Sequence, residues 1–196
     1  MSLMMVDLDG TVREPLSGQQ YFQYPQDQHI VPGADLAIRS YSPDWIIVGI
    51  TNQGGVAAGH KSMQHCIQEQ QYTLHLFPEL REIYFCPDFA GRKCFRVTRH
   101  NVHNHSQTKW SGQYRKPRSG MLQLAMVRHH HTPQDSFYVG DRPEDEQAAR
   151  QAGVSFQWAR DWMKNRESID ESINESSNLN GSQKITKILK VGETDE

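Results

Sequence analysis

The chain has 196 residues, the length of one ordinary domain with a substantial buried core. Its 21 lysines and arginines nearly balance 23 aspartates and glutamates, which excludes the global basic field of many nucleic-acid-binding and membrane-surface proteins. Three cysteines are too few for a disulfide framework, and no apolar run approaches the roughly 18 residues of a transmembrane helix. We therefore expect a cytoplasmic protein without membrane contact.

Short apolar runs alternate with helix-compatible segments through most of the chain. The runs at 3–6, 45–50, 83–86 and 137–140 predict β-strands, with a further strand at 156–159. The segments 32–41, 60–76, 119–131 and 143–152 predict helices. This alternation predicts an α/β fold, a Rossmann-like three-layer sandwich in which helices cover both faces of a central parallel sheet.

The composition changes near the C-terminus, where Glu, Ser, Asn, Asp and Gly predominate from residue 164 onward. Such a segment carries too little apolar area to offset the entropy lost on ordering. We therefore predict one folded domain over residues 1–163 and a flexible polar tail over residues 164–196.

Two carboxylates follow the first apolar run, in the segment from Asp7 through Asp9 and Gly10 to Thr11. Ligands of open α/β sheets bind outside the carboxyl ends of the strands, where these acids are expected. Two acids one residue apart can divide the chemistry, because one can attack or hold a metal while the other transfers protons. The alternative is a simple turn that uses aspartate and glycine for their backbone geometry.

Polar groups also occur where later strands end. Thr51 and Asn52 follow the second apolar run, and Asp141 follows the fourth. Lys116 precedes Pro117 at the entrance of a predicted helix, where a cation can neutralise phosphate charge. Taken singly, Thr51 and Asn52 are explained as well by helix capping, and Lys116 by an ordinary surface charge. As a set, they predict a single phosphate-binding crevice.

The four stretches resemble, in sequence order, the motifs of the haloacid dehalogenase (HAD) superfamily of phosphohydrolases. The matching segments are 7–11, 51–52, Lys116, and Asp141 with Asp145. The runs 51–55, 115–121 and 140–145 are similar to subfamily IIIA, which contains histidinol-phosphate phosphatase, heptose bisphosphate phosphatase and the 3′-phosphatase domain of polynucleotide kinase. The resemblance implies a HAD-like fold with a minimal cap domain or none.

The resemblance also implies roles for the acids. Asp7 would attack phosphorus and form an aspartyl phosphate, while Asp9 would protonate the leaving oxygen and then activate water. Asp7, the main-chain carbonyl of Asp9 and Asp141 would hold Mg²⁺, a hard ion that prefers oxygen ligands.

Three further motif residues would bind the phosphoryl group. Thr51 and Asn52 would contact its oxygens, and Lys116 would bind it and offset the charge that develops during catalysis. Asp145 would support the site by orienting Lys116 or metal-bound water.

The segment 86–112 contains residue types that bind zinc, namely Cys86, Cys94, His100, His103 and His105. Relatives that resemble heptose bisphosphate phosphatase carry a zinc loop here, but this chain has Asp88, Gly112 and Tyr114 at three of the ligand positions. A substitute site made from both cysteines and two histidines is an alternative. We expect a loop that binds no zinc.

The same region is rich in basic residues, namely Arg92, Lys93, Arg96, Arg99 and Lys109. They are explained either by a local phosphate-binding surface or by a solvated loop, and we favour the loop.

These observations predict a Mg²⁺-dependent phosphomonoester hydrolase whose substrate is a small sugar or amino-alcohol phosphate. One alternative is a polynucleotide 3′-phosphatase that acts on a nucleic-acid 3′ end, since an open crevice admits bulky substrates. Another is a non-catalytic module that binds phosphate or metal, although binding alone does not require the second carboxylate of Asp9. The sequence indicates no obligate protein partner.

Overall fold

The computed structural model describes residues 1–42 and 44–164, and within them a seven-stranded sheet forms the centre of the molecule. In chain order, the strands of the described residues are β1 (Ser2–Val6), β2 (Arg13–Glu14), β3 (His29–Ile30), β4 (Trp45–Asn52), β5 (Leu80–Cys86), β6 (Phe95–Val97), β7 (Val102–Asn104), β8 (Ser136–Gly140) and β9 (Ser155–Trp158). The central sheet has the order β7-β6-β5-β4-β1-β8-β9, and β2 pairs separately with β3.

Strands β5, β4, β1, β8 and β9 run parallel, as predicted for the central sheet. The two remaining strands, β6 and β7, are antiparallel and extend the sheet beyond β5. This extension was not predicted, because strands of three residues are too short to show an apolar alternation. The sheet is therefore mixed, with its antiparallel part confined to one edge.

Helices cover both faces of the sheet, which confirms the predicted three-layer α/β fold. The helices are α1 (Ala34–Tyr41), α2 (Met63–Leu76), α3 (Gly120–His129) and α4 (Pro143–Ala152), and residues 159–164 are also helical. Alternate residues of β1 point to opposite faces: Leu3 and Met5 pack with α3 and α4, while Met4 and Val6 pack with α1 and α2. Both faces of β1 are therefore buried in core.

Three of the four helices differ from the sequence prediction by one to three residues at one end or both. Helix α2 begins at Met63 rather than residue 60, because the Ser62 hydroxyl accepts a hydrogen bond from the backbone N–H of His65 and caps the helix. Helix α3 ends at His129 rather than residue 131, because His130 adopts a left-handed backbone conformation with φ of 58°. Strand β4 continues two residues further than predicted, so Thr51 and Asn52 are its last residues.

The chain reverses its direction of winding at β1. It passes from β1 through α1 to β4, and later returns through α3 to β8 on the other side of β1. The connection from β1 to β4 therefore crosses one face of the sheet, and the connection that leads to β8 crosses the other. This arrangement opens a crevice at the carboxyl ends of the strands. The segments that carry the predicted site residues border this crevice.

The segment between β1 and α1 contains only the short β2–β3 pair, so the described residues hold no separate cap domain. Within residues 1–42 and 44–164, no helix is long and apolar enough to cross a bilayer. The predicted tail over 164–196 lies outside the described residues except for its first residue.

Candidate active site

The side chain of Lys116 lies against the carboxylate of Asp7, the residue that follows β1. Its Nζ donates to Asp7 Oδ1 at 2.5 Å and to Asp145 Oδ1 at 2.6 Å. It also donates to the Tyr138 hydroxyl at 3.0 Å and to the Ile50 carbonyl at 3.3 Å. The three charged side chains are each no more than 6% exposed, so this ammonium group is held on all sides by the protein.

Asp145 is fixed by the first turn of α4. Its Oδ2 accepts a hydrogen bond from the backbone N–H of Arg142 at 3.1 Å, which caps the helix, while its Oδ1 accepts from the Tyr138 hydroxyl at 2.8 Å. A Cβ atom at Gly140 would lie 2.4 Å from Asp145 Cβ, so only glycine allows this approach. The carboxylate that pairs with Lys116 is thereby placed by the local fold of the β8–α4 turn.

Three carboxylates converge beside Lys116. Asp7, Asp141 and Asp145 each offer one oxygen, and these three oxygens lie within 4.8 Å of one another. Thr11 Oγ1 lies 3.1 Å from Asp7 Oδ2 and 3.3 Å from Asp141 Oδ1, so it ties the two strand ends together. At Gly10, whose φ is +89°, a Cβ would meet Asp141 Oδ2 at 2.6 Å. The arrangement can hold a cation that prefers oxygen ligands.

The electrostatics of this group reflect an excess of acids over bases. Burial raises the pKa of Asp7 to about 7, and Asp145 adds to the effect, although Lys116 opposes it. Burial would lower the pKa of Lys116, but the charges of Asp7 and Asp145 outweigh it and hold that pKa above its ordinary value. Lys116 therefore stays charged, while burial disfavours the ionised form of Asp7.

Asp9 lies in a different environment from Asp7. Its Oδ1 accepts from Arg13 Nε at 2.7 Å, and its Oδ2 accepts from Gln53 Nε2 at 2.8 Å. Burial would raise the pKa of Asp9, but the Arg13 guanidinium and its hydrogen bond outweigh burial and hold the pKa below its ordinary value. With its side chain 36% exposed, Asp9 is the acid of this site that is most open to the crevice.

Thr51 and Asn52 use their side chains differently. The Thr51 hydroxyl lies 3.4 Å from Asp9 Oδ2 and also accepts from Gln53 Nε2 at 3.0 Å. Asn52 Nδ2 donates to the Lys116 carbonyl and Asn52 Oδ1 accepts from the Lys116 N–H, both at 3.0 Å. The Asn52 amide thus holds the backbone of the segment that carries Lys116.

The structure therefore brings together all the site residues that the sequence predicted, namely Asp7, Asp9, Thr51, Asn52, Lys116, Asp141 and Asp145. Their chemical roles remain predictions. Sequence reasoning missed Arg13 and Gln53, which contact Asp9, and Tyr138, which contacts Lys116 and Asp145. The alternation within β8 could have placed Tyr138 on a particular face, but not its hydroxyl on a particular partner.

The segment predicted as a possible zinc loop is held by hydrogen bonds. Asp88 accepts from the backbone N–H groups of Arg92 and Lys93, each at 3.1 Å, and the Tyr114 hydroxyl donates to the His105 carbonyl at 2.6 Å. Burial raises the pKa of Cys86 to about 12, which opposes the thiolate form that zinc requires. The expectation that this chain binds no zinc stays a prediction.

Two of the basic residues in this region are used within the fold. Arg96 Nη1 donates to the buried carboxylate of Glu82 at 2.5 Å, and Arg99 Nη2 donates to the Pro78 carbonyl at 2.6 Å. Both therefore pin the β6–β7 hairpin to β5 and the turn before it.

Two exposed aromatic rings lie near the segment that follows β4. Phe89 is 60% exposed, and the guanidinium carbon of Arg115 lies over its ring, 5.2 Å from the ring centre. Both side chains lie about 3 Å from the position of a Cβ on Gly54. Tyr21 is 62% exposed and stacks on the ring of His60, with 6.4 Å between their centroids. Both pairs offer flat surfaces, and the first combines its ring with the positive charge of Arg115.

Comparison with known sequences identifies relatives over most of the chain. The family model described as polynucleotide kinase 3 phosphatase matches residues 2–172. The D-glycero-β-D-manno-heptose-1,7-bisphosphate 7-phosphatase of Haemophilus ducreyi is 29% identical over 160 residues, which are 77% of this chain and 78% of that protein. The D-glycero-D-manno-heptose-1,7-bisphosphate 7-phosphatase of Thermosynechococcus vestitus is 28% identical over 156 residues, 76% of this chain and 74% of that protein.

Solved structures agree with this assignment. The D,D-heptose 1,7-bisphosphate phosphatase from B. bronchiseptica, complexed with magnesium and phosphate, has a TM-score of 0.61 at 25% identity, covering 80% of this chain and 79% of that chain. A HAD-like phosphatase from Mesorhizobium loti has the same fold, with a TM-score of 0.58 at 24% identity over 79% of this chain and 69% of that chain. The chain is therefore a HAD-superfamily phosphatase and belongs to the polynucleotide kinase 3 phosphatase family.

Proposed function

We propose that this phosphatase hydrolyses phosphomonoesters through an aspartyl-phosphate intermediate on Asp7, with Mg²⁺ as its cofactor. The observation that carries the proposal is the convergence of Asp7, Asp141 and Asp145 beside Lys116 at the carboxyl end of parallel strands. Three acids against one lysine leave negative charge that a divalent cation can neutralise.

The residues present fit a magnesium site. Asp7, Asp141 and the main-chain carbonyl of Asp9 would hold the ion, and all three supply the oxygen ligands that Mg²⁺ prefers. The absence of a Cβ on Gly10 leaves space for the Asp141 carboxylate, which supports the same assignment. The magnesium complex of the B. bronchiseptica relative gives further support. When bound, Mg²⁺ supplies positive charge to the phosphoryl oxygens and to the carboxylates around it.

In the first half of the reaction, Asp7 attacks phosphorus, so that a bond from its carboxylate oxygen forms as the bond to the leaving oxygen breaks. Thr51 and the backbone near Asn52 would hold phosphoryl oxygens, and Lys116 would offset their charge. Asp9 gives its proton to the leaving oxygen. In the substrate-free site Arg13 favours ionised Asp9, but the dianionic phosphate brought beside Asp9 opposes that ionisation and favours the protonated acid.

In the second half, water attacks the phosphorus of the aspartyl phosphate. Asp9, now ionised, takes a proton from this water while the bond to Asp7 breaks and inorganic phosphate forms. The exposure of Asp9 toward the crevice supports this role, because the same carboxylate must reach the leaving group first and the water afterwards. Asp145 holds Lys116 in place through both halves.

For the substrate, we propose a sugar phosphate, specifically a heptose bisphosphate that loses one phosphate. The support comes from the two bacterial relatives named as heptose-1,7-bisphosphate 7-phosphatases, each aligned over about three quarters of its length. The crevice has no cap domain over it in the described residues, so the nearby loops must supply contacts to the rest of the sugar. An amino-alcohol phosphate remains a member of the test panel.

A polynucleotide 3′-phosphatase is the second candidate. It is favoured by the family model and by the exposed rings of Phe89 and Tyr21, which bases could stack on, with Arg115 and His60 beside them. The same flat surfaces also suit the face of a sugar ring. Substrate preference therefore has to be measured directly.

The test measures phosphate release from heptose 1,7-bisphosphate, other sugar phosphates, amino-alcohol phosphates and a 3′-phosphorylated oligonucleotide, with Mg²⁺ and at several salt concentrations. We expect the heptose bisphosphate to give the largest kcat/KM and Asp7→Asn to abolish turnover. A preference for the oligonucleotide that weakens as salt rises would overturn the sugar assignment.

Since Cys66, Cys86 and Cys94 are all free and buried, we also propose that the enzyme acts in a reducing compartment, the cytoplasm.

A further inference from the structure

A buried polar network lies behind Asp9, and of its members only Arg13 has a part in the chemistry assigned above. It consists of Arg13, Gln53, Lys61 and Glu69, and it links Asp9 to helix α2. Three of these side chains are at least 97% buried, and Lys61 is 86% buried. Charged side chains are rarely buried to this degree without a specific reason.

Gln53 connects Asp9 to Lys61. Its Nε2 donates to Asp9 Oδ2 at 2.8 Å, while its Oε1 accepts from Lys61 Nζ at 3.2 Å. Because a lysine ammonium can only donate, it requires the oxygen end of the Gln53 amide on its own side. The amide nitrogen must then face Asp9. Lys61 thus sets the direction of a hydrogen bond to a carboxylate that it does not itself touch.

Lys61 is held in turn by Glu69 on the buried side of α2. Its Nζ lies 2.6 Å and 2.8 Å from the two carboxylate oxygens of Glu69, whose side chain is only 2% exposed. A second link reaches the same place, because Arg13 donates through Nε to Asp9 and through Nη1 to the backbone carbonyl of Glu69. Both links from the Asp9 carboxylate therefore end at the same turn of α2.

The ring of Phe22 covers this network. Its centre lies 5.0 Å from the Arg13 guanidinium carbon and 5.7 Å from Lys61 Nζ. An aromatic ring over two cations reduces their contact with water, which strengthens their interactions with Gln53, Glu69 and Asp9.

Stability alone is a weak explanation for this arrangement. The desolvation cost of a buried ion pair often exceeds its Coulombic gain, so apolar residues of similar size at such positions are frequently neutral or stabilising. What the pair does provide is a fixed geometry, since two charged groups and an amide can satisfy one another here in one orientation only.

We propose that the Lys61–Glu69 ion pair is a positioning device for Asp9: acting through Gln53, it fixes the Asp9 carboxylate in the orientation that proton transfer to and from substrate requires. Lys61 and Glu69 are positioning residues, because they act through Gln53 and Asp9 and contact no reacting atom. The inference rests on the proposed role of Asp9 as acid and base.

The test compares two substrates that differ in their need for an acid. Heptose 1,7-bisphosphate loses an alkoxide, which must be protonated, whereas 4-nitrophenyl phosphate loses an anion that is stable without a proton. In Lys61→Met we expect kcat for the sugar ester to fall about 10- to 100-fold while KM changes less than about threefold. The first-turnover burst of nitrophenolate should remain within about threefold of wild type, since that step needs no acid.

Glu69→Gln should give the same pattern, and Lys61→Arg should restore part of the lost rate because it returns a donor to Gln53. The double variant Lys61→Met/Glu69→Gln removes both charges and avoids leaving one of them buried alone, so it tests the proposal if a single variant fails to fold. Arg96→Met is the matched control, because it breaks a buried ion pair with Glu82 that is not part of the network behind Asp9. It should leave the ratio of sugar-ester kcat to the nitrophenolate burst rate unchanged.

Equal losses in sugar-ester kcat and in the rate of the nitrophenolate burst, or no loss of sugar-ester turnover in a folded double variant, would overturn the positioning role. Asp9→Asn separates this outcome from failure of the proposed function. If Asp9→Asn still hydrolyses the sugar ester, the assigned role of Asp9 is wrong. If Asp9→Asn loses that activity while the double variant keeps it, only the positioning inference fails.

Discussion

Two buried charged clusters lie on different strands of the same sheet. At the carboxyl end of the parallel strands, Asp7 and Asp145 share the ammonium group of Lys116. On β5, two strands away from β1, Glu82 receives hydrogen bonds from Arg96, His129 and Tyr84. The first cluster has more acids than bases, and the second surrounds one acid with donors.

The pKa values express this difference. Burial raises the pKa of Asp7 to about 7, and Lys116 does not fully offset it. Burial also acts on Glu82, but there the hydrogen bonds from His129, Tyr84 and Arg96 outweigh it and hold the pKa at about 2. Hydrogen bonds from within the protein thus stabilise the charge of Glu82. The three carboxylates of Asp7, Asp141 and Asp145 could instead be stabilised by a bound cation. One cluster serves the fold, and the other is prepared for a ligand.

The largest effect is expected from Asp7→Asn. Without the nucleophile, phosphate release should fall roughly 10³-fold or more, because a neutral amide cannot form the aspartyl phosphate. The amide keeps the size of the side chain, and Lys116 remains paired with Asp145, so the free energy of unfolding should change by only about 1 kcal/mol. Parallel assays of phosphate release and urea unfolding check both statements. A large loss of stability would mean that this cluster also supports the fold.

Glu82→Gln should show the opposite pattern. Breaking a buried ion pair costs about 3 kcal/mol of unfolding free energy, while kcat should stay within about twofold because the hydrogen bonds of Glu82 go to Arg96, His129 and Tyr84, which are not among the proposed site residues. Glutamate has an ordinary pKa of 4.5, and in the fold it is lowered to about 2. Its contribution is therefore fully present above pH 4.5 and is lost as pH falls toward 2.

Urea unfolding of wild type and Glu82→Gln from pH 6 to pH 3 tests this sign. We expect the stability difference between the two proteins to shrink as the pH falls below 4.5. A difference that stays constant over this range would show that Glu82 does not carry the pH dependence.

Magnesium should stabilise the folded protein only by binding to the cluster of Asp7, Asp141 and Asp145. At a free Mg²⁺ concentration about 100-fold above its dissociation constant, the unfolding free energy should rise by about 2.7 kcal/mol, and EDTA should reverse the rise. Asp141→Asn should lose this stabilisation, and Glu82→Gln should retain it. If Asp141→Asn responds to Mg²⁺ as strongly as wild type does, the proposed ligand set is wrong.

The smallest effects come from a matched pair of tyrosines. Tyr138→Phe removes a hydroxyl that contacts Lys116 and Asp145, and Tyr84→Phe removes one that donates to Glu82. Each should cost about 1 kcal/mol of stability. Only Tyr138→Phe should also lower kcat, about threefold, since Lys116 then loses one of its four partners. Thermal unfolding and steady-state kinetics of both variants make the comparison, and equal kcat values would contradict it.

The meeting of Asp7 and Asp141 could be predicted from sequence because it follows from a general rule, whereas the place of Lys116, which lies on no strand, was expected from the helix that follows it and from the HAD resemblance. Carboxyl ends of neighbouring parallel strands lie at one edge of a sheet, so polar residues there must approach one another. The apolar runs of β1, β4 and β8 were long enough to identify those strands.

The support of Asp9 could not be predicted in the same way. Glu69 lies on the buried side of α2, where an apolar residue is expected, so the pattern of the helix gave no indication of a polar network. Its contact with Lys61, and that of Gln53 with Asp9, depend on where α2 packs relative to β4. Such contacts follow from tertiary packing, which the local sequence does not specify.

The pairing between Asn52 and Lys116 has a consequence for how this protein can diversify. The side-chain amide of Asn52 accepts a hydrogen bond from the backbone N–H of Lys116 and donates one to its carbonyl. These two bonds align Lys116 directly with the end of β4. The β6–β7 hairpin, which extends the sheet beyond β5, lies between Asn52 and Lys116 in the chain. Insertions or deletions at the tip of that hairpin, between β6 and β7, are therefore compatible with an unchanged position of Lys116.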